Sequence, residues 1–388
     1  MDTALTPELQ ALQTRLRRFA ESAIAPVAQE LHLRGEQIPD EVLEGIVNQG
    51  VFTLPLRKEI GGSAMGAMGM VIATEELGRA WFAAGALPAR NWMAALMLDK
   101  FGTEDQKRRW LPGVVSGRLQ CAHSATEPGA GSDAANIQVR ATRHGDTYRI
   151  DGLKRWCTHA NRADLILTFC RTGDGASKHE GISVLVVEKP RGDDFMPPTL
   201  TAQRIETIGY HGMKTYELTF KDHEVPVDNL LGAEEGKGFR QLMACYELVR
   251  LQFAFRCIGL AQAAFEASVN YAKTRKQFGK PISQFQLIRA KLANMATQVE
   301  TARQLGYAVA ARYDAGGRLD LEAGMAKLFA SEMAQRVCQD AMQVHGGNSM
   351  ALDFPVNRFW RDSSLCTVGE GTSEIQQEII ARRILGER

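Results

Sequence analysis

Several features are missing from this sequence, and each absence removes a class of protein. No run of about 18 apolar residues occurs, because the best candidate, Trp81 to Leu98, is interrupted by Pro88 and Arg90; no membrane-spanning helix is expected. The opening residues, Met1 to Glu8, carry neither the basic region nor the apolar core of a signal peptide, and the expected location is the cytoplasm. Neither sign of charge is in excess. The 46 Lys and Arg stand against 45 Asp and Glu, a formal net charge of +1, which gives no global field toward nucleic acid or an anionic membrane. The 7 cysteines are odd in number, scattered, and never spaced as Cys-x-x-Cys, so neither a disulfide framework nor a zinc site is suggested. The 8 histidines form no His-Glu-x-x-His, and metal catalysis has no support.

What is present is ordinary globular composition, 45% apolar and 23% charged, over 388 residues. That length exceeds what one core usually serves, so two or three domains are expected. From Pro7 to Gly117 the pattern is helical: Leu9, Leu12, Leu16 and Phe19 step by three and four behind a Thr6-Pro7 cap, and further helices are read at Pro39–Val47, Met70–Leu77 and Trp92–Phe101. Near Leu119 short β-branched and aromatic runs begin. Tyr148–Ile150, Leu165–Cys170 (before the turn Gly173-Asp174-Gly175), Ile182–Val187 and Glu217–Phe220 have no helix-length pattern between them, which favours an antiparallel sheet or barrel. After Gly236-Lys237-Gly238 the helical period returns. Phe239 to Ala264 reads as part of one amphipathic helix of about 30 residues, roughly 45 Å long. Ile288–Tyr313, Leu321–Val344 and Ser373–Leu385 complete an up-and-down four-helix bundle. The chain is an α+β multidomain protein: a helical domain at 1–118, a β-barrel at 119–232 and a four-helix bundle at 233–388.

Two glycine-bearing loops stand out as chemistry. Gly129-Ala130-Gly131-Ser132-Asp133-Ala134 satisfies a dinucleotide-loop pattern, but no parallel strand precedes it and no helix follows, so a Rossmann reading fails. What remains is a turn, or a loop whose N–H groups and the hydroxyls of Thr126 and Ser132 face a ligand rich in acceptors. Near the C-terminus, Glu370 stands between Gly369 and Gly371, ahead of a helix start with Thr372 or Ser373 as cap. Taken alone such a carboxylate is first of all solvated or capping, and second a general base.

Five segments then appear in the order and spacing of one family: Thr126–Asp133, Lys154-Arg155-Trp156-Cys157-Thr158, Tyr271–Pro281, Gln343-Val344-His345-Gly346-Gly347, and Glu370-Gly371-Thr372-Ser373-Glu374. In these the chain resembles the acyl-CoA dehydrogenases over essentially its full length. The resemblance implies a helical domain, a β-barrel and a C-terminal four-helix bundle, non-covalent FAD, a homotetramer, and electron transfer to an electron-transferring flavoprotein. It places His123, Ala125, Thr126, Gly131, Ser132, Trp156, Cys157 and Thr158 at the flavin ring and its ribityl chain. Trp156 alone could equally be barrel core. It places Arg275, Gln277, Phe278 and Gln286 at the pyrophosphate and adenosine of a neighbouring subunit's cofactor, where a guanidinium suits phosphate; the plain reading of Lys273 to Lys280 is a solvated basic turn. Gln343, Val344, His345, Gly346, Gly347, Thr372, Ser373 and Glu374 complete the cofactor set. Ser132, Glu247, Arg250 and Gly371 match positions along the thioester and pantetheine path. Arg250 interrupts an apolar helix run and by itself is as readily a surface residue as a buried charge.

The implied reaction is removal of the α-proton of an acyl thioester while hydride leaves the β-carbon for the flavin. A free glutamate is a weak base for that proton, so burial of the base and hydrogen bonds to the thioester oxygen are both required. Within the family the base occupies one of two places, which here are Glu370 and Val249. Valine accepts no proton. Gly369, Ala125 and Cys157 stand where relatives carry larger residues, which suggests a branched, polar or bulky acyl group. Two variants keep the site: an acyl group on a carrier protein, and an enoyl-CoA reductase. A DNA-associated flavoprotein on the same scaffold is disfavoured by the +1 balance.

Overall fold

The computed structural model describes residues 5–173, 177–317 and 319–387; Asp174 and Gly175 of the expected turn lie outside them. The chain opens with α1 (Pro7–Phe19) and α2 (Ala25–Arg34), joined by a widened π-turn at Ala20–Ile24. Thr6 caps α1, its hydroxyl accepting from the Leu9 N–H at 3.3 Å, as the Thr-Pro pair predicts. Then come α3 (Asp40–Asn48), α4 (Gly66–Ala80) and α5 (Leu87–Phe101). Not anticipated is α6 (Glu104–Val115), although Thr103 and Gln106 close a reciprocal capping box at its start.

The middle segment is a curled sheet of seven strands: β1 (Cys121–Ser124), β2 (Arg140–His144), β3 (Thr147–Thr158), β4 (Leu165–Arg171), β5 (Ile182–Glu188), β6 (Leu200–Ile205) and β7 (Thr215–Pro226). Their order is β1-β4-β2-β3-β7-β6, with β5 also paired to β4. Most pairs are antiparallel, as expected, but β1 runs parallel to β4 from Cys121↔Leu165 to Ser124↔Thr168. The long crossover that a parallel pair requires is supplied by the β2–β3 hairpin rather than by a helix, so the sequence shows no helical interruption. β4 and β5 are covered on both faces. Leu165, Leu167, Val184 and Val186 pack toward Trp110 and Met97 of the helical domain, whereas Ile166, Cys170, Leu185 and Val187 fill the inside of the curl. This explains their continuous apolar runs.

The C-terminal part contains α7 (Gly238–Met243), α8 (Tyr246–Thr274), α9 (Gln286–Asp314), α10 (Asp320–His345), α11 (Pro355–Ser363) and α12 (Ser373–Leu385). The single helix expected from Phe239 to Ala264 is thus two. The Cys245 N–H bonds back three residues to the Leu242 carbonyl at 3.1 Å, and this tightened turn re-aims the chain into α8. The core helix α8 packs on α4 at very close range: a Cβ on Gly259 would lie 2.4 Å from the Glu75 carbonyl oxygen. Its most apolar window is 83% buried within the protein, and all seven cysteines are buried and unbridged.

Candidate active site

The α7–α8 break, the start of α5, strands β1 and β3, and the loop before α12 converge on one cleft enclosing about 1100 Å³ of empty space, part of it open to solvent. Glu370, Val249, Tyr246, His123, Ala125, Thr126, Trp156 and Thr158 all line it. The two places at which the family resemblance puts a base therefore share one cavity, and only one holds a carboxylate.

Glu370 itself has a left-handed backbone, with φ 53°, followed by Gly371 at φ 85°. A non-glycine residue in that region is strained and persists only when its surroundings hold it. Two buried side chains do so. The ammonium of Lys327, 0% exposed, donates to the Gly371 carbonyl at 2.7 Å, and the Gln376 amide donates to the carbonyls of Glu370 and Gly371, each at 3.3 Å. Burial holds the Lys327 pKa below the ordinary lysine value, consistent with a cation set deep in the bundle. The glutamate also acts electrostatically on Tyr246, whose hydroxyl is pushed up to about 12, first by burial and then by the Glu370 charge.

On the opposite wall Trp156 is 52% exposed with φ 62°, at an irregularity where the β3–β7 register slips between Lys154 and Cys157. The slip turns a large aromatic face outward instead of into the sheet core. The neighbouring glycine loop is tied to β3 by a buried pair: Lys154 Nζ donates to Glu127 Oε1 at 2.8 Å and to the Ala125 carbonyl at 3.0 Å. The Glu127 carboxylate also accepts the Gln138 and Val139 N–H groups, which satisfies an otherwise costly buried charge. Burial, and secondarily the charge of Arg90, push the His123 imidazole down to about 3, and its Nε2 has no protein partner.

Three sequence patterns match the chain end to end: Acyl-CoA dehydrogenase, N-terminal domain at 6–118, middle domain at 122–223, and C-terminal domain at 236–385. The chain belongs to the acyl-CoA dehydrogenase family. Among the relatives of this acyl-CoA dehydrogenase are the (2S)-methylsuccinyl-CoA dehydrogenase of Cereibacter sphaeroides, 41% identical over 99% of this chain and 70% of that one, and the caffeyl-CoA reductase-Etf complex subunit CarC of Acetobacterium woodii, 36% identical over 95% and 96%. Butyryl-CoA dehydrogenase from Megasphaera elsdenii has the same fold, with a TM-score of 0.93 at 33% identity, covering 99% of this chain and 100% of that one. The family is one of flavin oxidoreductases, and the cleft fits a flavin: an open indole face, an unpartnered imidazole nitrogen, and hydroxyls of Thr126 and Thr158 on one wall.

The other residues singled out from the sequence fall into separate groups. The Cys157 side chain does not face the cleft. It is fully buried inside the sheet, its thiol against the His123 carbonyl at 3.4 Å, because strand alternation sends it opposite to Trp156 and Thr158. Gly369 is not a cleft wall either. Its Cβ position points at Phe253 and Leu365, 3.2 and 3.3 Å away, so the space a larger residue would occupy is already filled. Of the three small residues, only Ala125 lines the cleft. Gly131 and Ser132 are exposed, with nothing near the Cβ position of Gly131. Arg250 is buried, at 7% exposure, and stacked on Tyr246 at 5.3 Å, which settles its two readings; neither it nor Glu247 lines the cleft.

Arg275, Gln277 and Phe278 sit on an exposed hairpin beside Gln286, with Phe278 93% exposed. The Gln343–Gly347 segment lies near that hairpin rather than in the cleft: Val344 packs with Ala272 and Ile282, and His345 stacks on Tyr271 at 4.2 Å. Thr372 is the α12 cap, accepting from Ile375 N–H at 3.3 Å. Ser373 is buried, and Glu374 lines a shallow depression away from the cleft. Sequence reading missed Tyr246, Arg90, Arg155 and Arg256, all of which line the cleft. Arg155 lies within the Lys154–Thr158 motif without having been singled out, no motif carries the other three, and only the packing of α5, β3 and α8 assembles all four.

Proposed function

We propose that the chain catalyses α,β-dehydrogenation of an acyl-CoA thioester, with Glu370 removing the α-proton. FAD bound against Trp156, Thr158, Thr126 and His123 would accept the β-hydride at N5. The observation that carries the reading is Glu370, strained and braced by Lys327 and Gln376, facing the Trp156 wall across one cleft. The bracing acts on the backbone carbonyls of Glu370 and Gly371 and so fixes the turn from which the exposed carboxylate projects, and positioning is what gives a weak base its effectiveness. The apolar side chains of Met93, Leu96, Leu242 and Leu248 exclude water from the acyl chain.

Arg275, Gln277, Phe278 and Gln286 are exposed and none of them lines the Glu370 cleft, which supports their use on a second copy's cofactor in a homotetramer. An electron-transferring flavoprotein as redox partner is supported by the relative named as part of an Etf complex. The test is anaerobic: acyl-CoA added to the purified yellow protein bleaches the flavin, and Glu370→Gln abolishes bleaching while retaining FAD. Unchanged bleaching in that variant removes Glu370 as base. A second reading, reduction of an enoyl thioester at the same site, is favoured by relatives named acryloyl-CoA reductase and 3-(aryl)acrylate reductase, each 36% identical; reoxidation of chemically reduced enzyme by enoyl-CoA faster than its reduction by acyl-CoA would select it.

A further inference from the structure

Two guanidinium groups line the cleft without an acidic partner. Arg256, on α8, is 4% exposed, and its Nε is buried with no hydrogen-bond partner. It is packed among three rings, with Phe253, Phe82 and Tyr210 centroids at 4.5, 4.8 and 5.2 Å. Arg90, at the start of α5, donates to the Ala86 carbonyl at 2.8 Å and to the Thr158 carbonyl at 3.3 Å. Both converge on one atom, the Tyr210 hydroxyl oxygen, which accepts from Arg256 at 2.9 Å and from Arg90 at 3.2 Å. Among the described residues neither arginine has a carboxylate within salt-bridge distance. The buried Lys154 does, pairing with Glu127, and the buried Arg171, Lys189 and Lys327 donate to backbone carbonyls.

A buried, uncompensated cation is expensive, and the buried Arg256 shares its hydroxyl acceptor with the half-buried Arg90. The field they make is visible in Tyr210: burial alone raises a phenol, yet Arg90 and Arg256 outweigh it and hold this one below its ordinary value. An apolar acyl chain would leave both charges unanswered. A carboxylate would answer them, because the planar fork of a guanidinium pairs two carboxylate oxygens.

We infer that this cleft selects acyl-CoA thioesters carrying a second, distal carboxylate, recognised by Arg256 and Arg90 with the Tyr210 hydroxyl between them. The inference rests on the dehydrogenase reading for the thioester's orientation, but it concerns the distal end of the acyl group. Gly369 and Cys157 do not face the cleft and add no room for the acyl group.

The test uses the holoenzyme and matched pairs: succinyl-, methylsuccinyl- and glutaryl-CoA against butanoyl-, 2-methylbutanoyl- and pentanoyl-CoA, scored by calorimetric binding and, separately, by anaerobic flavin bleaching. The expected result is at least about tenfold tighter binding of one or more carboxylate members over their methyl-terminated partners. Arg256→Gln and Arg90→Gln are each expected to lower that ratio by about tenfold or more, the order expected when one member of a buried charge pair is truncated. Equal or tighter binding of the methyl-terminated thioesters overturns the inference, and so does a ratio unmoved in both variants. Loss of FAD from both variants with the ratio unchanged assigns the arginines to the cofactor and likewise overturns it. If Arg256→Gln does not fold, Arg90→Gln and the unaltered enzyme still decide. Bleaching by methyl-terminated thioesters without carboxylate preference refutes only this inference; preferential carboxylate binding without bleaching by any thioester refutes the dehydrogenase reading and leaves the recognition standing.

Discussion

The Lys327 ammonium donates to the carbonyl of Gly371 at 2.7 Å, one residue beyond Glu370 and from a side chain with no exposed surface. It lies 5.3 Å from the Phe253 ring centroid, so an aromatic wall and a backbone carbonyl together hold a cation where α10, α8 and the loop before α12 meet. The consequence is mechanical: the left-handed turn that aims Glu370 is fixed from beneath by the bundle.

Lys327→Met keeps the apolar stem but removes that bond, leaving Gln376 as the remaining brace. Anaerobic flavin reduction is expected to slow about 10- to 100-fold, the scale on which a small misplacement of a reacting group acts, with FAD content and KM little changed. Stopped-flow absorbance of the flavin reads this; an unchanged rate would show that Gln376 alone suffices.

Glu370→Gln is nearly isosteric and removes the proposed proton acceptor. Loss of a positioned base predicts a fall in reduction rate of about 10²- to 10⁴-fold, with the visible flavin spectrum retained. Activity recovered at high pH without a change in the bound flavin would point to a different acceptor.

Gly369→Ala would place a methyl 3.2 Å from the buried Phe253 ring. Overpacking of that kind costs about 1–3 kcal/mol, read as a lower Tm. Because the clash is with one ring, Phe253→Leu is expected to relieve part of it, and the double variant should melt above the sum of the single effects. Additive losses would place the strain elsewhere in the loop.

His159 is fully buried, with both ring nitrogens unpartnered. Burial first, then the charges of Arg90 and its neighbours, hold its pKa well below the ordinary value. The unfolded chain takes up a proton near the ordinary histidine pKa of about 6.5, and the folded chain does not, so stability falls as pH drops below that point. His159→Asn tolerates the left-handed backbone at φ 72° and removes this proton. The Tm difference between about pH 7.5 and about pH 5.5 should shrink in the variant. It should not vanish, because burial also lowers His32, His223 and His345. An unchanged difference would show that His159 does not contribute.

The helix–sheet–helix order, the Thr6 and Thr372 caps, the Trp156 segment and the Glu370 loop were all legible along the chain, because each is a local matter of periodicity, turn chemistry or short motif. Val249 opposite Glu370 followed from motif position, and the shared cleft gives it a spatial meaning. The α7–α8 break was not legible, since Phe239 to Ala264 keeps helical spacing through Ala244 and Cys245, and one tightened turn leaves no mark on an apolar period. Nor was the parallel β1–β4 pair, because pairing direction is decided by where the β2–β3 hairpin folds back. The same limit applies to side-chain direction: Cys157 and Gly369 read as cleft residues by position, yet strand alternation and the Phe253 ring turn them elsewhere. By itself the sequence determined the family and the layers, and singled out Glu370 as the candidate base. Only tertiary structure brought Arg90 and Arg256, 166 positions apart in the chain, onto the Tyr210 hydroxyl, because charges on separate helices acquire a common field only once packing removes the water between them.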